Sequence, residues 1–80
     1  METALRLKDL KPGEVVEVVG YDRADPVYRH KLLAMGITTG VAIKLLKIAP
    51  LGDPVEVLVR GYHLSLRKAE ADILKVRRKD

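Results

Sequence analysis

The sequence predicts a small, mainly β fold: a barrel of about five short strands with one inserted α-helix. Three observations predict it. Short alternating runs of apolar and polar residues recur at Val41 to Ile48, Val55 to Arg60 and Tyr62 to Leu66. Glycine and proline turns separate these runs. One stretch, Asp25 to Gly36, departs from the alternation and carries the start and stop signals of a helix. Short strands leave unpaired edges unless the sheet closes, so a closed or nearly closed SH3-like barrel is the leading architecture. An open antiparallel sheet with a packed helix is the second.

Leu5, Leu7 and Leu10 punctuate a polar opening, and Lys11-Pro12-Gly13-Glu14 reads as a turn. Glu14 to Gly20 is the first strand, with Val16 and Val18 on one face and Val15 and Val19 on the other. That pattern predicts partial burial on both sides. Asp25 caps the helix and Pro26 stands at its first position, where a missing N–H costs nothing. Gly36 ends it, with Leu32 and Ile37 as the apolar pair of a Schellman closure. Tyr28, Leu32 and Met35 form the inward stripe, and Arg29 and Lys31 splay away from it.

Thr38-Thr39-Gly40 is a tight turn into the strand Val41 to Ile48. Its alternation slips at Leu45-Leu46, which predicts a bulge. Ala49 to Pro54 is a hairpin loop containing Gly52. Gly61 divides the next two strands. Arg67 to Asp72 suits one helical turn, and Ile73 to Arg77 is a last short strand. Tyr28 and Tyr62 are expected to be buried.

Eighty residues make one domain, residues 1–80. With 48% hydrophobic residues but no Phe or Trp, the core has to be built from small aliphatic side chains. The absence of cysteine excludes disulfides, thiolate metal sites and thiol nucleophiles, and favours a reducing cytosol. No apolar run is long enough to cross a bilayer or to form a signal-peptide core. The net charge of +4 comes from Lys75, Arg77, Arg78 and Lys79 in a basic C-terminal tail, residues 75–80. A solvated tail accounts for these charges more simply than a nucleic-acid patch does.

LLAMGITTGVAIKLL, followed by APLGDPVEVLVRGYHLSLRKAEADILKV, resembles the FeoA family, ferrous iron transport protein A. The resemblance begins at the L-x-x-L-K-P-G-E opening, Leu7 to Glu14, and covers nearly the whole chain. Its backbone is the ordered set Gly36, Gly40, Gly52 and Gly61. Thr39 stands where the family often has Pro, and Ser65 where it often has Ala. The resemblance implies an SH3-like barrel with a helical insertion. It also implies a cytoplasmic accessory of ferrous iron uptake whose partner is FeoB, a membrane permease with a cytoplasmic GTPase domain. Related barrels occur in iron-dependent repressors, but this chain has no helix-turn-helix.

The residues themselves offer little chemistry. His30 and His63 lack paired metal-ligand spacing, so two solvent-facing histidines are expected and no tight iron site. Asp22 and Asp25 flank the helix start and Asp53 lies in a hairpin; capping and turn formation explain Asp25 and Asp53 without acid–base work. No glycine opens a phosphate-binding loop, so Gly13, Gly36, Gly40, Gly52 and Gly61 are turn formers. No cofactor, metal or catalytic residue is expected. Protein contact remains, placed at Tyr21, Arg29 and Lys31 with Arg67 and Lys68 contributing. The alternatives are a nucleic-acid-binding small barrel, which would need more exposed aromatics, and an iron-sensing domain. Self-association through strand edges stays open.

Overall fold

The computed structural model describes residues 4–22 and 26–78. Five antiparallel strands form one sheet: β1 (Val15–Tyr21), β2 (Ala42–Ile48), β3 (Val55–Val59), β4 (Tyr62–Leu66) and β5 (Leu74–Arg78). Helix α1 (Pro26–Ala34) is inserted between β1 and β2, and the short helix α2 (Lys68–Asp72) joins β4 to β5. The strand order is β4-β3-β2-β1-β5. This is a small SH3-like fold whose sheet stays open, because β4 and β5 are its two edges. The proposed cap at Asp25 lies outside the described residues.

Alternation sets the core. Val16 and Val18 of β1, Ile43 and Leu45 of β2, Val57 of β3, Leu66 of β4 and Leu74 and Val76 of β5 are all fully buried. Leu7, in a 3-10 turn over Leu7–Asp9, and Leu32 of α1 close the core from outside the sheet. β1 is buried on one face only: Val16 and Val18 are in the core, while Val15 and Val19 are exposed. The predicted slip in β2 is a register shift between Leu45 and Lys47.

α1 ends as its sequence requires. The Gly36 N–H donates to the Leu33 carbonyl and the Ile37 N–H to the Leu32 carbonyl, both at 3.0 Å. Those are the two bonds of a Schellman motif, and Leu32 and Ile37 are both fully buried. The motif needs a left-handed residue at Gly36, whose φ is 86°. Arg60 and Gly61, with φ of 52° and 82°, form the two-residue turn between β3 and β4, where a strand residue is expected at Arg60. Two consecutive left-handed residues make a type I′ turn, whose twist suits a hairpin.

The sheet's edges differ. Leu5 pairs with Val76 on the outer side of β5, through N–H to carbonyl bonds of 2.8 and 3.0 Å. The last strand, expected over Ile73 to Arg77, runs from Leu74 to Arg78, and its two arginines make ion pairs rather than ending in a free basic run. Arg77 meets Glu17 at 2.9 Å and Arg78 meets Glu14 at 2.6 Å across β1. The hydrogen bond from Arg78 is the main reason the Glu14 carboxyl titrates below its ordinary value. On the other side of the sheet, β4 is paired to β3 alone among the described residues.

Gly36→Ala is expected to cost about 1 kcal/mol, measured by urea unfolding, because an L side chain is disfavoured at positive φ. There is open space around the new methyl group, so the loss would be conformational rather than steric. Gly20→Ala, also in open space but without positive φ, is expected to be neutral or slightly stabilising.

Candidate partner interface

α1 turns one face outward. Pro26, Val27, His30, Lys31 and Ala34 line a shallow groove of about 450 Å³ along it. Val27 is 71% exposed and lines this groove with Pro26 and Ala34. The helix thus presents an apolar strip bordered by a histidine and a lysine. Such a strip suits contact with another macromolecule.

The five residues singled out in the sequence do not form one patch. Arg29 and Lys31 leave α1 in different directions. The Arg29 guanidinium lies 5.6 Å from the centre of the Tyr21 ring, in cation–π range. Tyr21 in turn donates its hydroxyl proton to the Ile37 carbonyl, tying the end of β1 to the chain leaving α1. Burial pushes the phenol above its ordinary 10.0, against the opposing charge of Arg29.

Lys31 does not splay free. Its ammonium lies 2.7 Å from Oε2 of Glu70, whose side chain is only 2% exposed. The other carboxylate oxygen, Oε1, accepts the Arg67 N–H at 2.9 Å, capping α2 from within. Oε2 has no conventional hydrogen bond and depends on the ammonium. Burial pushes this carboxyl up, but Lys31 and the Arg67 N–H outweigh it and hold it below its ordinary value. Sequence reasoning missed this pair, since residues 39 positions apart carry no local signal. Arg67 and Lys68 stand exposed at the start of α2. The Lys68 N–H donates to Asp53 Oδ1 at 3.2 Å, so that aspartate serves α2 as well as its own hairpin.

A second groove, of about 370 Å³, shares Ala34 with the first. Met35 and Gly36 line one side and Tyr62, His63 and Leu64 the other. Tyr62 is 73% exposed, contrary to the expected burial. It sits on the edge strand beside the Arg60-Gly61 turn, while its cross-strand partner Val59 is in the core. The His63 ring nitrogen Nε2 is 2.8 Å from Glu56 on β3, and His30 lies in the first groove. Among the described residues, no three His, Cys, Asp or Glu side chains gather to hold a metal. Asp22 is paired with Arg6 at 3.0 Å.

The family model for the FeoA domain matches residues 5–78. A fusion of Fe(2+) transport protein A with the Fe(2+) transporter FeoB, from Porphyromonas gingivalis, is 33% identical over 72 residues. The match takes in 90% of this chain and 8% of the fusion, so the chain spans under a tenth of that relative's length. The NMR structure of an FeoA-like protein from Clostridium acetobutylicum superposes with a TM-score of 0.85 at 36% identity, covering 98% of this chain and 90% of that one. The T. acidophilum IdeR crystal structure has a TM-score of 0.87 at 22% identity, covering 99% of this chain and 36% of that one. This last likeness is one of fold alone.

Lys31→Met leaves the Glu70 carboxylate buried without its cation. With Lys31 itself half-exposed, the expected loss at neutral pH is about 1–2 kcal/mol by urea unfolding. Adding Glu70→Gln is expected to recover part of it. Since Glu70 titrates lower in the folded chain than in the unfolded one, its contribution is complete above the ordinary 4.5 and is lost as pH falls through the folded value. Stability measured against pH should therefore drop in acid, and drop less steeply in Glu70→Gln. Glu14 adds a change of the same sign to both proteins.

Proposed function

The chain belongs to the FeoA domain family, which is involved in ferrous iron transport, and from that premise we propose that it is a non-enzymatic accessory to an FeoB-type GTPase permease. It binds the cytoplasmic part of the permease and biases its GTPase or gating state. The observation that carries this reading is the P. gingivalis fusion, which joins the two proteins in one chain. Fusion holds two domains at high effective concentration, as suits a pair that works in contact. Iron is then the permease's cargo, and no resident metal or cofactor is assigned to this chain.

The reading places the protein in the cytoplasm, brought to the inner face of the membrane by its partner. None of the helices described is long and apolar enough to cross a membrane. The proposed contact is the outer face of α1, with Val27 as its apolar anchor and His30 and Lys31 beside it. Arg29 leaves the helix in another direction, over Tyr21, and meets the partner at the margin of that face. Tyr21 positions Arg29, and Arg67 and Lys68 add positive charge on the neighbouring α2. Binding alone cannot regulate. The accessory shifts the permease only as far as its affinities for the two states differ.

The test is GTP hydrolysis by the purified permease, with and without this protein, alongside direct binding in mild detergent. Saturable binding and an altered hydrolysis rate are expected. Val27→Asp should weaken binding about tenfold, as loss of a central anchor does. Its urea midpoint should hardly change, because the side chain is already exposed. If the permease neither binds the wild-type protein nor changes its hydrolysis rate, the reading fails. Wild-type affinity in Val27→Asp would remove the contact from α1.

A further inference from the structure

The open edge of the sheet faces a groove. β3 and β4 are joined by a two-residue turn, so Val59 and Tyr62 are a hydrogen-bonded pair and the pairing alternates from there. Leu58–His63 and Glu56–Ser65 are thus the non-bonded pairs. The N–H and carbonyl groups of His63 and Ser65 point away from β3, along the outer edge of β4. The second groove is lined by three consecutive β4 residues, Tyr62, His63 and Leu64. Successive side chains point to opposite faces of a sheet, so a cavity touching all three reaches the strand's edge, and Val59 and Arg60 complete its lining at the β3–β4 turn. Its opposite wall is the end of α1, at Ala34 and Met35.

We propose that this slot between α1 and β4 takes an extended peptide from a partner protein, which adds to β4 as a sixth strand. His63 and Ser65 would each donate one N–H and offer one carbonyl to the incoming chain. Main-chain bonds of this kind supply affinity, and alternate side chains supply selectivity. Charge identifies the peptide. Arg60 is exposed at one end of β4, and Arg67 and Lys68 at the other, so the ends of the peptide should be acidic. The centre should be apolar, because it meets Tyr62 and Met35 and the carbonyl-rich end of α1, where carboxylates are disfavoured.

The same charges argue against a second copy of this chain. Antiparallel pairing of two β4 strands sets Arg60 of each beside Arg67 and Lys68 of the other. Like charges on an edge strand discourage that self-pairing. The slot is a different surface from the outer face of α1, although Arg67 and Lys68 flank both, and any partner carrying such a peptide would fit it.

A suitable probe is acetyl-Glu-Glu-Val-Thr-Val-Glu-Glu-amide, titrated into the isotopically labelled protein and followed by NMR. The expected result is saturable shifts at His63 and Ser65, with slowed hydrogen exchange of both amides. N-methylation of the probe's central threonine, which removes a main-chain donor, should weaken binding about tenfold. Arg67→Glu combined with Lys68→Glu should weaken it by a similar factor, about tenfold, without touching the strand. Ser65→Pro removes one outward donor, and proline is tolerated at a solvent-facing edge position. The charge reversals keep the test decisive if that variant does not fold.

Three outcomes would overturn the proposal. One is no response at His63 and Ser65 at millimolar probe, or a response centred on α1. Another is equal binding of a probe with lysine replacing every glutamate. The third is protection of both amides that grows with protein concentration in the absence of probe, which would make a second copy the occupant.

Discussion

A buried carboxylate holds the two helices of this fold together. Glu70 caps the start of α2 with one oxygen and holds the Lys31 ammonium of α1 with the other. An unpaired carboxylate in that position would be costly, so the contact fixes the two helices relative to each other. Much follows from this placement. α1 crosses the sheet where Leu32 can enter the core, and its end stands opposite β4. The ion pair thus helps set the walls of both grooves, although Glu70 lines neither and Lys31 lines only the first.

The local elements were legible because each has a local cause. The two bonds at Gly36 follow from glycine at C′ with apolar residues at C3 and C″, all visible in Leu32 to Ile37. The slip in β2 could be seen because two adjacent leucines cannot both face the core. Missing information was mainly long-range. Nothing within ten residues of Lys31 indicates Glu70, and nothing near Arg77 and Arg78 indicates Glu17 and Glu14. The strand that carries these arginines was legible in its alternation; the carboxylates they meet across the sheet were not.

Tyr62 illustrates a different limit. Its place in the alternation with Leu64 and Leu66 correctly assigns its face of the sheet. Alternation does not say which strand lies at the sheet's edge, and Tyr62 is exposed on edge strand β4 while its partner Val59 on β3 is buried. The candidate interface was also only partly readable. Composition excluded most chemistry and left contact, but the outward face of α1 and the slot beside β4 exist only once helix and sheet are packed. The basic residues chosen from the sequence divide between structural work, as in Lys31, and exposed positions, as in Arg67 and Lys68.

The turn between β3 and β4 joins stability to recognition at one residue. Arg60 holds a left-handed backbone conformation, which costs a residue with a Cβ about 1 kcal/mol and which glycine or asparagine adopts more readily. Asparagine there would give a firmer hairpin and would strip the guanidinium from the mouth of the slot. The two demands therefore compete at this position, and selecting variants for thermal resistance alone would push it toward a neutral turn residue.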